Sequence, residues 1–95
     1  MPQFLILADD YKDAEALSRR LSVRKDHLKR MQAEKVNGRF IIGGAKLNDG
    51  KMFGSMLVVN LNDEEAVRNW VNEDPYITGE VWEHVQIIPF KIAEV

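Results

Sequence analysis

The sequence contains no cysteine. That excludes a disulfide framework, a thiolate nucleophile and any cysteine-ligated zinc or iron–sulfur site. Long apolar runs are missing too, and no stretch approaches the ~20 apolar residues of a membrane-spanning helix. Phe4 to Ala8 is too short for a secretory signal, and Asp9-Asp10 follows it directly. A soluble cytoplasmic protein without a membrane partner is therefore expected. Repeats, linkers and low-complexity segments are also absent. The 95 residues read as one domain, 1–95, with one modest core.

What is present is unevenly charged. The net charge is −2, yet Lys12 to Arg39 is strongly basic and the remainder correspondingly acidic. A basic region can draw in an anionic ligand. The plainer reading is a set of solvated helix faces that support one another. The overall acidity argues against nucleic acid as a partner.

Gln3 to Ala8 is a short continuous apolar run ending at Asp9-Asp10, which predicts a strand. Asp13 can cap the helix that follows. Ala14, Leu17, Leu21, Leu28 and Met31 predict its apolar stripe, with Arg24 lying on the same stripe. Ser22 can cap a second helix from Val23, so the pattern allows one kinked helix or two short ones. Either ends at Asn37-Gly38. Arg39 to Ala45 reads as a second strand and Gly54 to Leu61 as a third. They form a hairpin through the Asp49-Gly50 turn signal. A helix over 63–73 follows, with Asn62 and Glu65 spaced as a capping pair. Pro75 stops it, which places Asp74 at its C-terminus, where the helix dipole disfavours a carboxylate by about 0.3–1 kcal/mol. Val81 to Phe90 is the last strand, and Pro89 suits an edge or a strand end.

The order β-α-β-β-α-β predicts an α+β, ferredoxin-like fold with an antiparallel sheet and helices on one face. Phe4 to Leu7, Phe40 to Ile42 and Met56 to Val59 are apolar on both sides of the pleat. The face without helices then needs a cover, and a second copy packed sheet to sheet supplies one. A homodimer is expected.

His27 is the residue with the widest chemical scope. A neighbouring carboxylate would fix which ring nitrogen carries its proton, and Asp74 can meet it if the two helices pack side by side. A histidine so held is the core of a general acid–base unit. Arg24, three residues earlier, would supply positive charge for a carboxylate or enolate oxygen. The alternatives are a structural histidine, a simple helix stop and a snorkelling arginine.

Arg24-Lys25-Asp26-His27-Leu28, Gly38, Gly43-Gly44, Gly50, Gly54, Asp74-Pro75-Tyr76 and Ile88-Pro89-Phe90 together resemble the YciI-like, or YCII-related, proteins over nearly the whole chain. The resemblance implies a dimeric α+β barrel of ferredoxin-like halves and a pocket with a catalytic His27–Asp74 pair. It also places Arg24 and Ser55 at the pocket. The wider superfamily includes cofactor-independent isomerases, lyases and oxygenases acting on small cyclic compounds, so no cofactor and no metal are expected. Read from the residues, Ser55 has nothing beside it in sequence to activate it. Tyr76 either walls the pocket or packs. Gly43 and Gly44 either admit a ligand or mark a bulge. His84 reads as a surface or interface residue.

Two functions fit these observations. One is a lyase- or isomerase-type proton transfer on a small anionic or cyclic substrate. The other is a non-catalytic ligand-binding or structural homodimer. An RNA-binding reading of the same topology fails because Ser55 and Val58 stand where stacking aromatics are needed.

Overall fold

The structure, a computed structural model, describes residues 1–95. The elements are β1 (Gln3–Asp10), α1 (Ala16–Val36), β2 (Phe40–Asn48), β3 (Lys51–Asn60), α2 (Glu64–Asn72), α3 (Pro75–Thr78) and β4 (Trp82–Phe90). The four strands form one antiparallel sheet in the order β2-β3-β1-β4. This is the expected ferredoxin-like βαββαβ arrangement. No helix is long and apolar enough to cross a membrane.

Alternation along the central strand decides which face is covered. Phe4, Ile6, Ala8 and Asp10 are buried, while Leu5, Leu7 and Asp9 between them are half-buried. In register, Ile6 lies opposite Leu57 and Ile87, so these side chains share one face of the pleat. They pack with Met31 of α1, Val67, Trp70 and Val71 of α2, and Tyr76 of α3 as the core. The opposite face presents Leu5, Leu7, Met56 and Ile88, with Ile42 58% exposed at its edge. Each helix lies on the first face, so the second retains its apolar surface.

The β2–β3 hairpin is longer than the sequence pattern indicates. Its strands continue through Lys46–Asn48 and Lys51–Phe53, leaving only Asp49-Gly50 as the turn. Both turn residues have positive φ, 53° and 76°, the combination a type I′ turn requires. The capping of α2 also differs. Asp63, not Asn62, is its N-cap and accepts from the Ala66 N–H at 2.8 Å.

Two expectations for α1 are corrected. It is one continuous helix, and Ser22 caps nothing; its hydroxyl donates to the Arg19 carbonyl within the helix. The buried stripe is not the leucine stripe. Leu21 is 55% exposed and Leu28 41%, whereas Ala16, Arg20, His27, Met31 and Glu34 are buried. A polar face is turned inward because each of its charged groups finds a partner there. Glu34 accepts from the Trp70 indole N–H, from Asn37 and from the Arg39 guanidinium.

That bonding, led by Arg39, holds the Glu34 carboxyl down at about 2, against an ordinary value of 4.5. The folded-state value is depressed, so the stabilisation is fully present above about pH 4.5 and is lost as pH falls toward 2. Urea unfolding midpoints of the native protein should therefore fall more steeply than those of Glu34→Gln between pH 5 and about pH 2.5. Parallel curves would remove Glu34 as the cause.

Candidate active site

The site forms where the polar face of α1 meets α3 and the sheet. Pro75 opens α3 at its first turn, where a missing N–H costs nothing. Asp74 is thereby the N-cap of α3, with extended backbone, φ −75° and ψ 139°. Asp74 does follow the C-terminus of α2, as expected, but its side chain serves the next helix: it accepts from the Tyr76 N–H, the favourable end of that dipole.

Asp74 is fully buried. One carboxylate oxygen, Oδ1, accepts from Tyr76 N at 2.9 Å and pairs with His27 Nδ1 at 2.7 Å. The other, Oδ2, accepts from Arg30 Nη1 at 2.8 Å. Arg30 also donates to the Trp70 carbonyl at 2.6 Å and lies over the Trp70 ring. An ionised carboxylate held by a guanidinium only accepts, so the His27 Nδ1 carries the proton. In a neutral imidazole, Nε2 is then the nitrogen without a proton. It has no protein partner and is not among the sealed, unpaired polar atoms. The imidazole is clamped between rings: Tyr76 stacks on it at 3.9 Å and Trp82 meets it edge-on at 5.7 Å.

A second buried cluster adjoins this pair. Arg20 Nη1 donates to both oxygens of Asp10 at 2.9 Å, and Nη2 to Ser55 Oγ at 2.8 Å. Its guanidinium also lies 4.7 Å from the centre of the Tyr76 ring. Trp82 Nε1 donates to the same Ser55 oxygen at 3.1 Å. Asp10 and Trp82 are paired in the sheet beside a register shift that skips Glu83. Burial pushes the Asp10 carboxyl up, while Arg20 pulls it back. Burial likewise raises the Tyr76 phenol, against the pull of Arg20 and Arg24, so it stays protonated at neutral pH.

A cavity of about 300 Å³ opens between α1 and the β2–β3 hairpin. His27, Ser55, Tyr76, Arg24, Gly43 and Gly44 all line it, so the structure brings these sequence-derived candidates together. Asp74 stands behind His27 and does not line the cavity. Arg24 is exposed at the mouth, and Gln32 and Lys35, also exposed, line the cavity two to three turns further along α1. Arg20, Arg24 and Lys35 contribute positive charge, and no acidic side chain lines the space. Gly43 serves the strand pairing as well: a Cβ there would stand 2.8 Å from the Met56 carbonyl and 3.0 Å from the Phe40 ring. At Gly44 a Cβ would meet nothing. His84 lies on the other face of the sheet, its side chain 73% exposed.

Sequence reasoning missed Arg20, Arg30, Asp10 and Trp82. One signal was available: Arg20, His27 and Glu34 recur at intervals of seven and so share a face of a continuous helix. Arg30 follows His27 by three. Nothing local marks Asp10 or Trp82, whose partners lie far away in the chain.

The fold and this cavity define a small ferredoxin-like α+β protein with a histidine–carboxylate pair turned toward a cationic pocket. The chain belongs to the YCII-related domain family, whose signature matches residues 3–91, and so to the dimeric α+β barrel superfamily. It is 36% identical to Protein YciI of Escherichia coli O6:H1, over 93% of this chain and 95% of that protein. Among solved structures it is similar to the 5-chloro-2-hydroxyhydroquinone dehydrochlorinase of Burkholderia phenoliruptrix AC1100 in complex with 2,5-dihydroxybenzoquinone. That match has a TM-score of 0.80 and 22% identity, over 96% of this chain and 95% of the other. A dimeric ferredoxin-like protein from an uncultured marine organism matches over the full length of both chains, with a TM-score of 0.51 and 15% identity.

Removing the Asp74 carboxylate would leave the Arg30 charge, the His27 N–H and the Tyr76 N–H without their partner. Breaking a buried charge pair costs about 3–5 kcal/mol, and a loss of that order is expected for Asp74→Ala in denaturant titration. In the native protein, ring ¹⁵N shifts at alkaline pH should show Nδ1 protonated and Nε2 bare. The reverse tautomer would contradict the geometry.

Proposed function

We propose that this protein is a small cofactor-independent enzyme that transfers a proton on a small anionic or cyclic substrate, as a lyase or isomerase does, and that it works as a homodimer. The observation that carries the proposal is the asymmetry of His27. One ring nitrogen is occupied by a fully buried carboxylate, and the other is open to a cavity lined by positive charge.

His27 Nε2 is the base. It takes a proton from the substrate and becomes an imidazolium, which Asp74 stabilises without taking the proton itself. In an elimination, the electron pair of the broken C–H bond forms the new double bond while the leaving group departs with its own bonding pair. In an isomerisation, the imidazolium returns the proton to a different atom. Arg24, with Lys35, favours an anionic substrate or a developing oxyanion. Tyr76 holds the ring plane of His27, and Gly43 and Gly44 keep the opposite wall low. The fold's likeness to a dehydrochlorinase supports the elimination class, because loss of hydrogen chloride is an elimination.

The dimer follows from the second sheet face. Leu5, Leu7, Ile42, Met56 and Ile88 present an apolar surface with no helix over it. A second copy packed on that face buries it.

A structural reading has one observation in its favour: Asp74 ties α1, α2 and α3 together regardless of chemistry. Turnover separates the two readings. With a substrate of the proposed class, His27→Gln should lower kcat by at least about 100-fold, the usual contribution of a general base. Unchanged turnover would leave only the structural role. For the assembly, sedimentation at micromolar concentration should give twice the 10.9 kDa chain mass, and Leu5→Glu should give the monomer. A native monomer would refute the sheet-to-sheet pairing.

A further inference from the structure

Ser55 is buried at 3% exposure and lines the cavity. Its oxygen already accepts two N–H bonds, from Arg20 Nη2 at 2.8 Å and from Trp82 Nε1 at 3.1 Å. Neither partner can reverse its role, because guanidinium and indole nitrogens only donate. A hydroxyl has two lone pairs and one O–H, so both acceptor positions are taken and only the donor remains. No protein group receives it: in the sheet Ser55 stands between Ala8 of β1 and Ala45 of β2, neither of which has a side-chain acceptor. The unused direction is the cavity.

The supports of Ser55 are themselves fixed. Arg20 cannot swing away, since its other amino group is held by both oxygens of buried Asp10. Trp82 is 2% exposed and packed edge-on against both His27 and Tyr76. Ser55 is therefore a preorganised donor, with a guanidinium polarising its hydroxyl.

We propose that Ser55 is an obligate hydrogen-bond donor that selects ligands carrying a carbonyl or enolate oxygen. That oxygen would lie on the same small ring whose proton faces His27. This rests on the proton-transfer reading and deepens it by naming the ligand chemistry. The two groups have complementary polarity: Nε2 of His27 accepts a proton, and the Ser55 hydroxyl meets the oxygen onto which the resulting charge delocalises. A ligand that offers a donor at this point meets a second donor and is rejected. The cavity, about 300 Å³, suits a single ring. Arg24 and Lys35 in its lining suit the enolate over a cation.

Cyclohexane-1,3-dione, a cyclic enolate at pH 8, is a direct probe. Titration calorimetry should show it binding the native protein, with affinity at least 10-fold weaker in Ser55→Ala. That substitution also leaves the Arg20 and Trp82 donors unpaired, so a second measurement uses the unaltered chain. In a crystal of the native protein with the dione, one of its enolate oxygens should lie about 2.5–3.0 Å from Ser55 Oγ. No binding to the native protein, undiminished affinity in Ser55→Ala, or a bound ring whose oxygens avoid Ser55 would each overturn the proposal. Binding is read here without turnover. Turnover indifferent to His27 would refute the proton-transfer reading while leaving the Ser55 result intact.

Discussion

Everything around the cavity depends on one buried charge. Asp74 has no exposure, and an isolated carboxylate in that position would cost several kcal/mol. It is tolerated because three donors converge on it from two elements: a backbone N–H at the start of α3, an imidazole from the middle of α1 and a guanidinium one turn further along α1. Each donor fixes something the site needs. The backbone bond sets where α3 begins. The guanidinium brings the opposite charge to the carboxylate and reaches on to the end of α2 through the Trp70 carbonyl. The imidazole bond decides which nitrogen of His27 is left free. The packing of the helices and the geometry of the cavity are therefore not separable at this residue.

The same economy runs along α1. Arg20, His27 and Glu34 form a polar column on the helix face that meets the sheet, where apolar residues would be the simpler choice. Each has a different counterpart: Asp10 and Ser55, Asp74, and Trp70 with Arg39. Buried polar pairs add little net stability over apolar packing. They do set the rotation of the helix, since a turn of 100° would leave several charges buried without partners. That rotation aims His27 at the cavity and leaves Leu21 and Leu28 largely exposed.

The two faces of the sheet differ in what covers them. The helix-covered face holds the core at the α2 end and opens into the cavity on the β2–β3 side. The other carries apolar side chains from all four strands. The residues alternate, so β1 serves both: Ile6 and Ala8 face the helices while Leu5 and Leu7 face outward.

Much of this was legible in the chain itself. Strands follow from their apolar runs, the hairpin from Asp49-Gly50, and the end of α1 from Gly38, whose φ of 86° suits glycine. Element order was enough for the topology, because few arrangements of that order satisfy the connection rules. The ordered motif from Arg24 to Phe90 singled out His27 and Asp74. What the chain alone could not decide was the rotation of α1 and the side of the break on which Asp74 acts. Leucine and polar stripes both recur at helical spacing, and Asp-Pro reads equally well as a stop or as a cap. Only the folded structure resolves these, because the choice depends on partners such as Asp10, Ser55 and Trp82, contributed by three different strands. Periodicity records which residues share a face; it holds no information about what that face will meet.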